Sequence, residues 1–202
     1  MRLHRFPRGY RFIPSRVDSM LLLVMERAAV LEAARRTGMA LAACILPSIV
    51  LPLGAAILLG LPLAPVYGLI ASAFLIEYGA IPIGIGLGLP AAYVFCAATA
   101  VEAGIFLGIY GILDAIGRTS NRVAGLLARI HAIATRSRMF DRYGILGLFP
   151  CEILIGVYIC APVSWLFGWS GVRSFGITMA GYIVAAAITT LATLGAIRLF
   201  LS

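Results

Sequence analysis

Three glutamates lie where their neighbours are least suited to a charge. Glu77, Glu102 and Glu152 each sit inside a long apolar stretch. On lenient scales, an ionised carboxylate in the middle of a hydrocarbon layer costs roughly 2.5–3.5 kcal/mol. Such a group is protonated, paired with an arginine, or open to a water-filled cavity. Each of these states suits a proton-coupled or anion-handling site. Glu77 and Glu152 also have a structural reading, as hydrogen-bond partners for backbone freed at the nearby Pro82 and Pro150. For Glu102 the structural reading is an interhelical hydrogen bond. Arg136, Arg138 and Arg142 precede the segment that holds Glu152. They suit either lipid headgroups or bidentate capture of a phosphate. Arg142 is best placed for capture, because Tyr143-Gly144 leads straight into that segment. The expected substrate- or ion-binding set is therefore Glu77, Glu102, Glu152, Arg138 and Arg142.

Other chemistries have no residues to carry them. His4 and His131 are isolated in arginine-rich segments, and no HExxH, Ser-His-Asp or GxxxxGK[ST] pattern occurs. Cys44, Cys96, Cys151 and Cys160 lie in apolar stretches without CxxC spacing and read as buried small hydrophobes. The expectation is no catalytic residue, no metal, no cofactor and no enzyme. Gly84, Gly86 and Gly88 lack the strand of a dinucleotide fingerprint. They read as close packing, or as backbone N–H groups turned toward an anion.

The elements that must position these glutamates belong to a membrane protein. Hydrophobic residues make up 62% of the 202 and charged residues 12%, against about 45–50% and 25% in soluble domains. All 16 basic residues are arginine. Eight precede the first long apolar stretch and six fall between Arg118 and Arg142. This pattern fits cytoplasmic segments beside anionic lipid better than nucleic acid, and it places the N-terminus in the cytoplasm.

Residues 1–37 read as an arginine-rich tail and an interfacial helix, in which Glu32 pairs with Arg35 or Arg36. Met20 is an alternative start. A span over 38–60 carries Pro47 and Pro52, which predict a kink. Residues 64–90 hold Gly79, Pro82, Gly84, Gly86 and Gly88, and read as a broken, re-entrant hairpin. A second span, 91–114, carries the GxxxG step Gly104–Gly108 with Gly111 one turn on. That face suits packing within the chain or a homodimer. An arginine-rich amphipathic segment, 115–142, lies on the inner surface. Residues 143–170, interrupted by Pro150, Glu152, Gly156 and Pro162, read as a second hairpin entering from the cytoplasm, with a full crossing as the alternative. A last span covers 174–200. The expected fold is an all-α membrane protein with two oppositely oriented re-entrant hairpins, an inverted-repeat, transporter-like plan with its site near the midplane.

Glu77-Tyr78-Gly79-Ala80-Ile81-Pro82, followed by Gly84–Gly88, resembles the E-x-x-G-A-I-P-type motif of a prokaryotic family of small multidrug export proteins. Tyr143-Gly144-Ile145-Leu146-Gly147-Leu148-Phe149-Pro150 resembles the second landmark of that family. Here Pro150 continues into Cys151-Glu152-Ile153 rather than a P-x-P-G-T-G-like run. The family is more distantly similar to the DedA-type superfamily, whose opposed hairpins, acidic residues and arginines are implicated in moving lipid phosphates. The resemblance implies a prokaryotic multi-pass membrane protein with Glu77 and Arg142 as functional positions. The functional expectation is a small transporter or flippase, proton-coupled, acting on an amphipathic or lipid-phosphate substrate, with membrane lipids as partners. The alternative is a non-transporting scaffold that organises lipids or a partner complex. An intramembrane enzyme ranks third.

Overall fold

The computed structural model describes residues 31–32, 34–119 and 143–201. Most of the arginine-rich tail and of the 115–142 segment, with Arg138 and Arg142, lies outside them. The described residues form helices and no strand. They are α1 (Ala34–Leu58), α2 (Leu63–Ile76), α3 (Ala80–Gly86), α4 (Ala91–Thr119), α5 (Leu148–Leu154), α6 (Val157–Leu166) and α7 (Gly171–Leu201). Four stretches, Ala34–Leu58, Leu63–Gly86, Ala91–Gly117 and Gly171–Leu199, are long and apolar enough to cross a membrane. The outer surface agrees with such a setting. Leu58, Leu75, Val172 and Leu199 are each at least 80% exposed, an arrangement that is favourable in lipid and unfavourable in water.

Proline shapes α1 without ending it. The strain expected from Pro47 and Pro52 is taken up as a π-turn over Leu46–Val50, and an α-helix resumes at Leu51. The Ser48 hydroxyl donates to the Cys44 carbonyl in that turn. The same stretch packs on the glycine step of α4. A Cβ on Gly104 would lie 2.5 Å from the Cys44 oxygen, one on Gly108 2.8 Å from Cys44 Cβ, and one on Gly111 2.7 Å from Ala40 Cβ. The GxxxG face is thus occupied inside the chain. Tyr93, near the start of α4, donates to the Pro52 carbonyl at 2.9 Å, so α1 and α4 run antiparallel.

Both broken segments fold back on themselves. A Cβ on Gly84 would lie 2.8 Å from Leu69 Cδ1, and one on Gly68 3.2 Å from Leu87 Cδ1. In a straight helix Leu69 and Gly84 would stand about 22 Å apart. The chain therefore reverses between α2 and α3, within a 3₁₀ turn over Glu77–Gly79. Likewise the Cys160 thiol reaches the Leu148 carbonyl at 3.8 Å, so α5 and α6 reverse around Ile155 and Gly156.

The breaks differ from those expected of Gly79, Pro82 and Pro150. Glu77 itself carries the positive φ of 52°, whereas Gly79 is right-handed helical. Pro82 and Pro150 sit in the first turns of α3 and α5, where a missing N–H removes no intrahelical bond. Gly84 serves close packing against Leu69 and Val94, and Gly86 faces open space. Gly88 takes positive φ in the turn that closes α3.

One kind of turn recurs along the chain: Gly60, Gly88 and Gly168 take positive φ, each with an N–H reaching back three residues. Pro162 stands as far before Gly168 as Pro82 stands before Gly88. After each glycine a long helix begins at the same offset, at Ala91 and at Gly171. Phe106 of α4 stacks on Tyr110 and meets Phe175 of α7 edge-on, with centroids 5.6 Å apart for the latter pair. Tyr110 donates to the Trp169 carbonyl at 2.9 Å, which makes α4 and α7 antiparallel.

Candidate functional site

The hairpin tips meet, and Glu77 joins them. The first N–H groups of a helix have no partner within it, and Gly156, which precedes α6, has no side chain to offer. Glu77 supplies the acceptor from the other hairpin: its carboxylate takes hydrogen bonds from the N–H groups of Val157 and Tyr158. The positive end of the helix dipole also favours an anion there. Gly156 makes the approach possible. Its φ is 97°, and a Cβ at that position would lie 1.9 Å from Glu77 Oε2. Two further bonds lock the tips: the Tyr78 hydroxyl donates to the Ile153 carbonyl at 3.2 Å, and that of Tyr158 to the Phe74 carbonyl. Glu77 therefore does bond freed backbone, but that of the opposite hairpin rather than the backbone around Pro82.

Two more carboxylates converge on this junction. Glu102 lies part-way along α4 and is 1% exposed; Glu152 lies on α5 and is 0% exposed. Gly181 of α7 lets α5 come close, since a Cβ there would lie 2.7 Å from the Phe149 oxygen and 3.0 Å from Glu152 Cβ. One oxygen from each of Glu77, Glu102 and Glu152 falls within 4.8 Å of the others. Glu152 neighbours Glu102 and the Cys160 thiol, yet neither of its oxygens meets a donor in hydrogen-bonding geometry, and nor does Glu102 Oε1. Glu152 thus does not bond backbone freed at Pro150.

At that separation each ionised pair repels by about 3.5 kcal/mol at an effective dielectric of 20. Among the described residues no arginine forms an ion pair with the three carboxylates. The cluster accordingly needs positive charge from outside, as protons or as a cation taking one oxygen from each glutamate. No metal-ligand spacing marks the site along the chain, because the three residues come from three separate segments.

Several site residues carried no signal in the motif reading. Tyr182 of α7 is fully buried, within electrostatic reach of all three carboxylates, and its hydroxyl has no hydrogen-bond partner. Its position mirrors that of Glu102: the two stand equally far along α7 and α4. Ser174 and Thr178 share its face. The available signal was the four-residue spacing of hydroxyl side chains in an otherwise apolar span. Gly156 was legible only as one of four interruptions of its apolar run and Gly181 not at all, since their importance lies in what approaches them.

Away from the junction, Glu32 pairs with both expected partners, with Arg36 Nε at 2.8 Å and Arg35 Nε at 3.4 Å. The Arg36 hydrogen bond, then the Arg35 charge, hold its carboxyl below the usual range. No family model, curated protein or solved structure matches this chain.

Proposed function

We propose that this protein is a small proton-coupled membrane transporter for an amphipathic substrate, with Glu77, Glu102 and Glu152 as its proton site. In this reading the two hairpins are re-entrant, entering from opposite faces and meeting near the midplane, and the halves form an inverted repeat. Three observations support that plan: the fold-back of both segments, the matched Pro82–Gly88 and Pro162–Gly168 spacings, and the equal depth of Glu102 and Tyr182. At 1.5 Å per residue each of these two lies about 16 Å from the start of its helix, half of a bilayer core of about 30 Å. Broken helices facing each other at mid-depth are the usual setting for a transporter site. The arginine distribution puts the start of α1 in the cytoplasm.

The observation that carries the reading is the junction itself. A carboxylate on one hairpin tip caps a helix of the other, and beside it both oxygens of Glu152 and one of Glu102 are buried without a hydrogen-bond partner. Proton loss raises the charge of the cluster and strains a contact that holds the hairpins together, which couples occupancy to conformation. A substrate with a cationic head complements the deprotonated cluster. A lipid phosphate is accommodated only when the cluster is protonated, with Arg138 or Arg142 as its receiver.

The test is transbilayer movement in proteoliposomes under an imposed pH gradient, using a fluorescent lipid phosphate and a cationic amphiphile as substrates. Glu102→Gln is expected to abolish the response to the gradient while the protein stays folded. Gradient-driven movement that survives both Glu102→Gln and Glu152→Gln would overturn the assignment, and absence of movement with either substrate in wild type would favour the scaffold.

A further inference from the structure

Glu77, Glu102 and Glu152 bring three oxygens, one from each, to within 4.8 Å of one another. In a triangle with sides no longer than that, one point lies within about 2.8 Å of all three corners. Oxygen ligands stand about 2.3–2.6 Å from a bound Ca²⁺, so a contraction of a few tenths of an ångström closes the three around an ion.

A second observation, from a fourth element, points the same way. Tyr182 of α7 is 0% exposed, and its hydroxyl has no hydrogen-bond partner. It lies within electrostatic reach of all three glutamates, and at the neighbouring Gly181 a Cβ would stand 3.0 Å from Glu152 Cβ. A buried hydroxyl ordinarily finds an acceptor, as those of Tyr93 and Tyr110 do at 2.9 Å each. Tyr182 is surrounded by carboxylates and bonds none of them. Both Glu152 oxygens and Glu102 Oε1 are likewise buried and unbonded. Oxygens from four elements are thus held near a common centre without satisfying one another.

The ligand set is all oxygen, which selects a hard cation. Charge selects the valence. A divalent ion balances two ionised glutamates and one retained proton balances the third, whereas a monovalent ion leaves two charges uncompensated in the interior. Mg²⁺ demands near-ideal octahedral geometry and keeps several of its waters, while carboxylates binding through one or both oxygens suit the variable shell of Ca²⁺.

We propose that Glu77, Glu102, Glu152 and Tyr182 form a binding site for a hard divalent cation of the Ca²⁺ or Mn²⁺ type. The Glu77 carboxylate that accepts from the N–H groups of Val157 and Tyr158 also ligates the ion, which links ion binding to the contact between the hairpin tips. Glu77 is the member of the set that the surface reaches, at 9% exposed against 1% and 0% for Glu102 and Glu152. Binding rests on this geometry alone; exchange of the ion for protons during transport rests on the transporter reading above.

The test is Mn²⁺ binding to the full chain in neutral detergent after treatment with a chelator, read as loss of the free-ion signal in electron paramagnetic resonance. One Mn²⁺ per chain should bind saturably, and Ca²⁺ should displace it. Glu102→Gln combined with Glu152→Gln should weaken binding by at least about tenfold, since affinity follows the number of charged ligands. Tyr182→Phe removes a neutral ligand and a buried hydroxyl without a partner, so it should fold as well as wild type and bind severalfold more weakly. No saturable binding by wild type up to millimolar Mn²⁺ would overturn the proposal, as would wild-type affinity in a folded double variant. If the double variant does not fold, Tyr182→Phe decides, and unchanged affinity there would overturn the four-ligand site. Binding is measured without a gradient or a second compartment. Its failure leaves the proton site standing, and a failure of transport leaves a bound ion standing.

Discussion

Replacing Glu77 tests the junction most directly, and three substitutions separate its roles. Glu77→Ala removes the acceptor for the N–H groups of Val157 and Tyr158 and leaves both without a partner, at about 1–3 kcal/mol each. It also keeps a Cβ at φ 52° and ψ −125°, a conformation that costs a non-glycine residue about 1–3 kcal/mol. Glu77→Gly loses the same acceptor but relieves that strain. Glu77→Gln keeps one acceptor oxygen and loses only the added strength of a charged acceptor, about 1 kcal/mol. The expected order of stability is wild type, then Gln, then Gly, then Ala, with Ala about 2–6 kcal/mol below wild type. The native cysteines supply the assay. Cys96 is exposed, whereas Cys151 and Cys160 are buried in the second hairpin. A thiol-reactive fluorophore followed during heating should label Cys96 at once and the buried pair only as the hairpin opens. Ala as stable as Gln would show that the tip contact contributes nothing. Gly less stable than Ala would refute the strain argument.

Gly156→Ala should be worse than any change at Glu77, because its Cβ would lie 1.9 Å from a carboxylate oxygen and φ is 97°; a cost upward of about 3 kcal/mol should appear as labelling of Cys151 and Cys160 without heating. Gly108→Leu should separate α1 from α4, where a Cβ already stands 2.8 Å from Cys44 Cβ; accelerated labelling of Cys44 checks it. Glu32 titrates below the usual carboxylate range because of Arg36 and then Arg35. Its contribution is therefore present above the unfolded-state value and lost as pH falls through the lower folded-state value. Glu32→Gln should be slightly less stable than wild type at neutral pH and indistinguishable from it in acid, as read from unfolding curves across pH.

Sequence and structure agree where the physics is local. An apolar run of span length, the glycine step Gly104–Gly108–Gly111 and the Glu32 pairing with Arg35 and Arg36 depend on residues within a few turns, and each was legible. The break of the first hairpin was not. Proline and glycine at 79–88 marked the right segment, but the reversal falls at Glu77. Its strained backbone is sustained by Val157 and Tyr158, residues far along the chain. Of the interruptions legible in the second segment, the structure places the break at Gly156 rather than Pro150 for the same reason: only glycine leaves room for Glu77.

The sequence by itself determined an all-helical protein suited to a membrane, the segments that form its long apolar helices, and three carboxylates too apolar in setting to be incidental. Hydropathy, helical period and charge cost are properties of neighbours in the chain. Only the tertiary structure decided that these carboxylates share one site, that Glu77 caps a helix of the opposite hairpin, and that Ser174, Thr178 and Tyr182 face inward beside them. Those outcomes depend on close approach between distant segments, and a contact of that kind is set by packing in three dimensions rather than by any spacing along the chain.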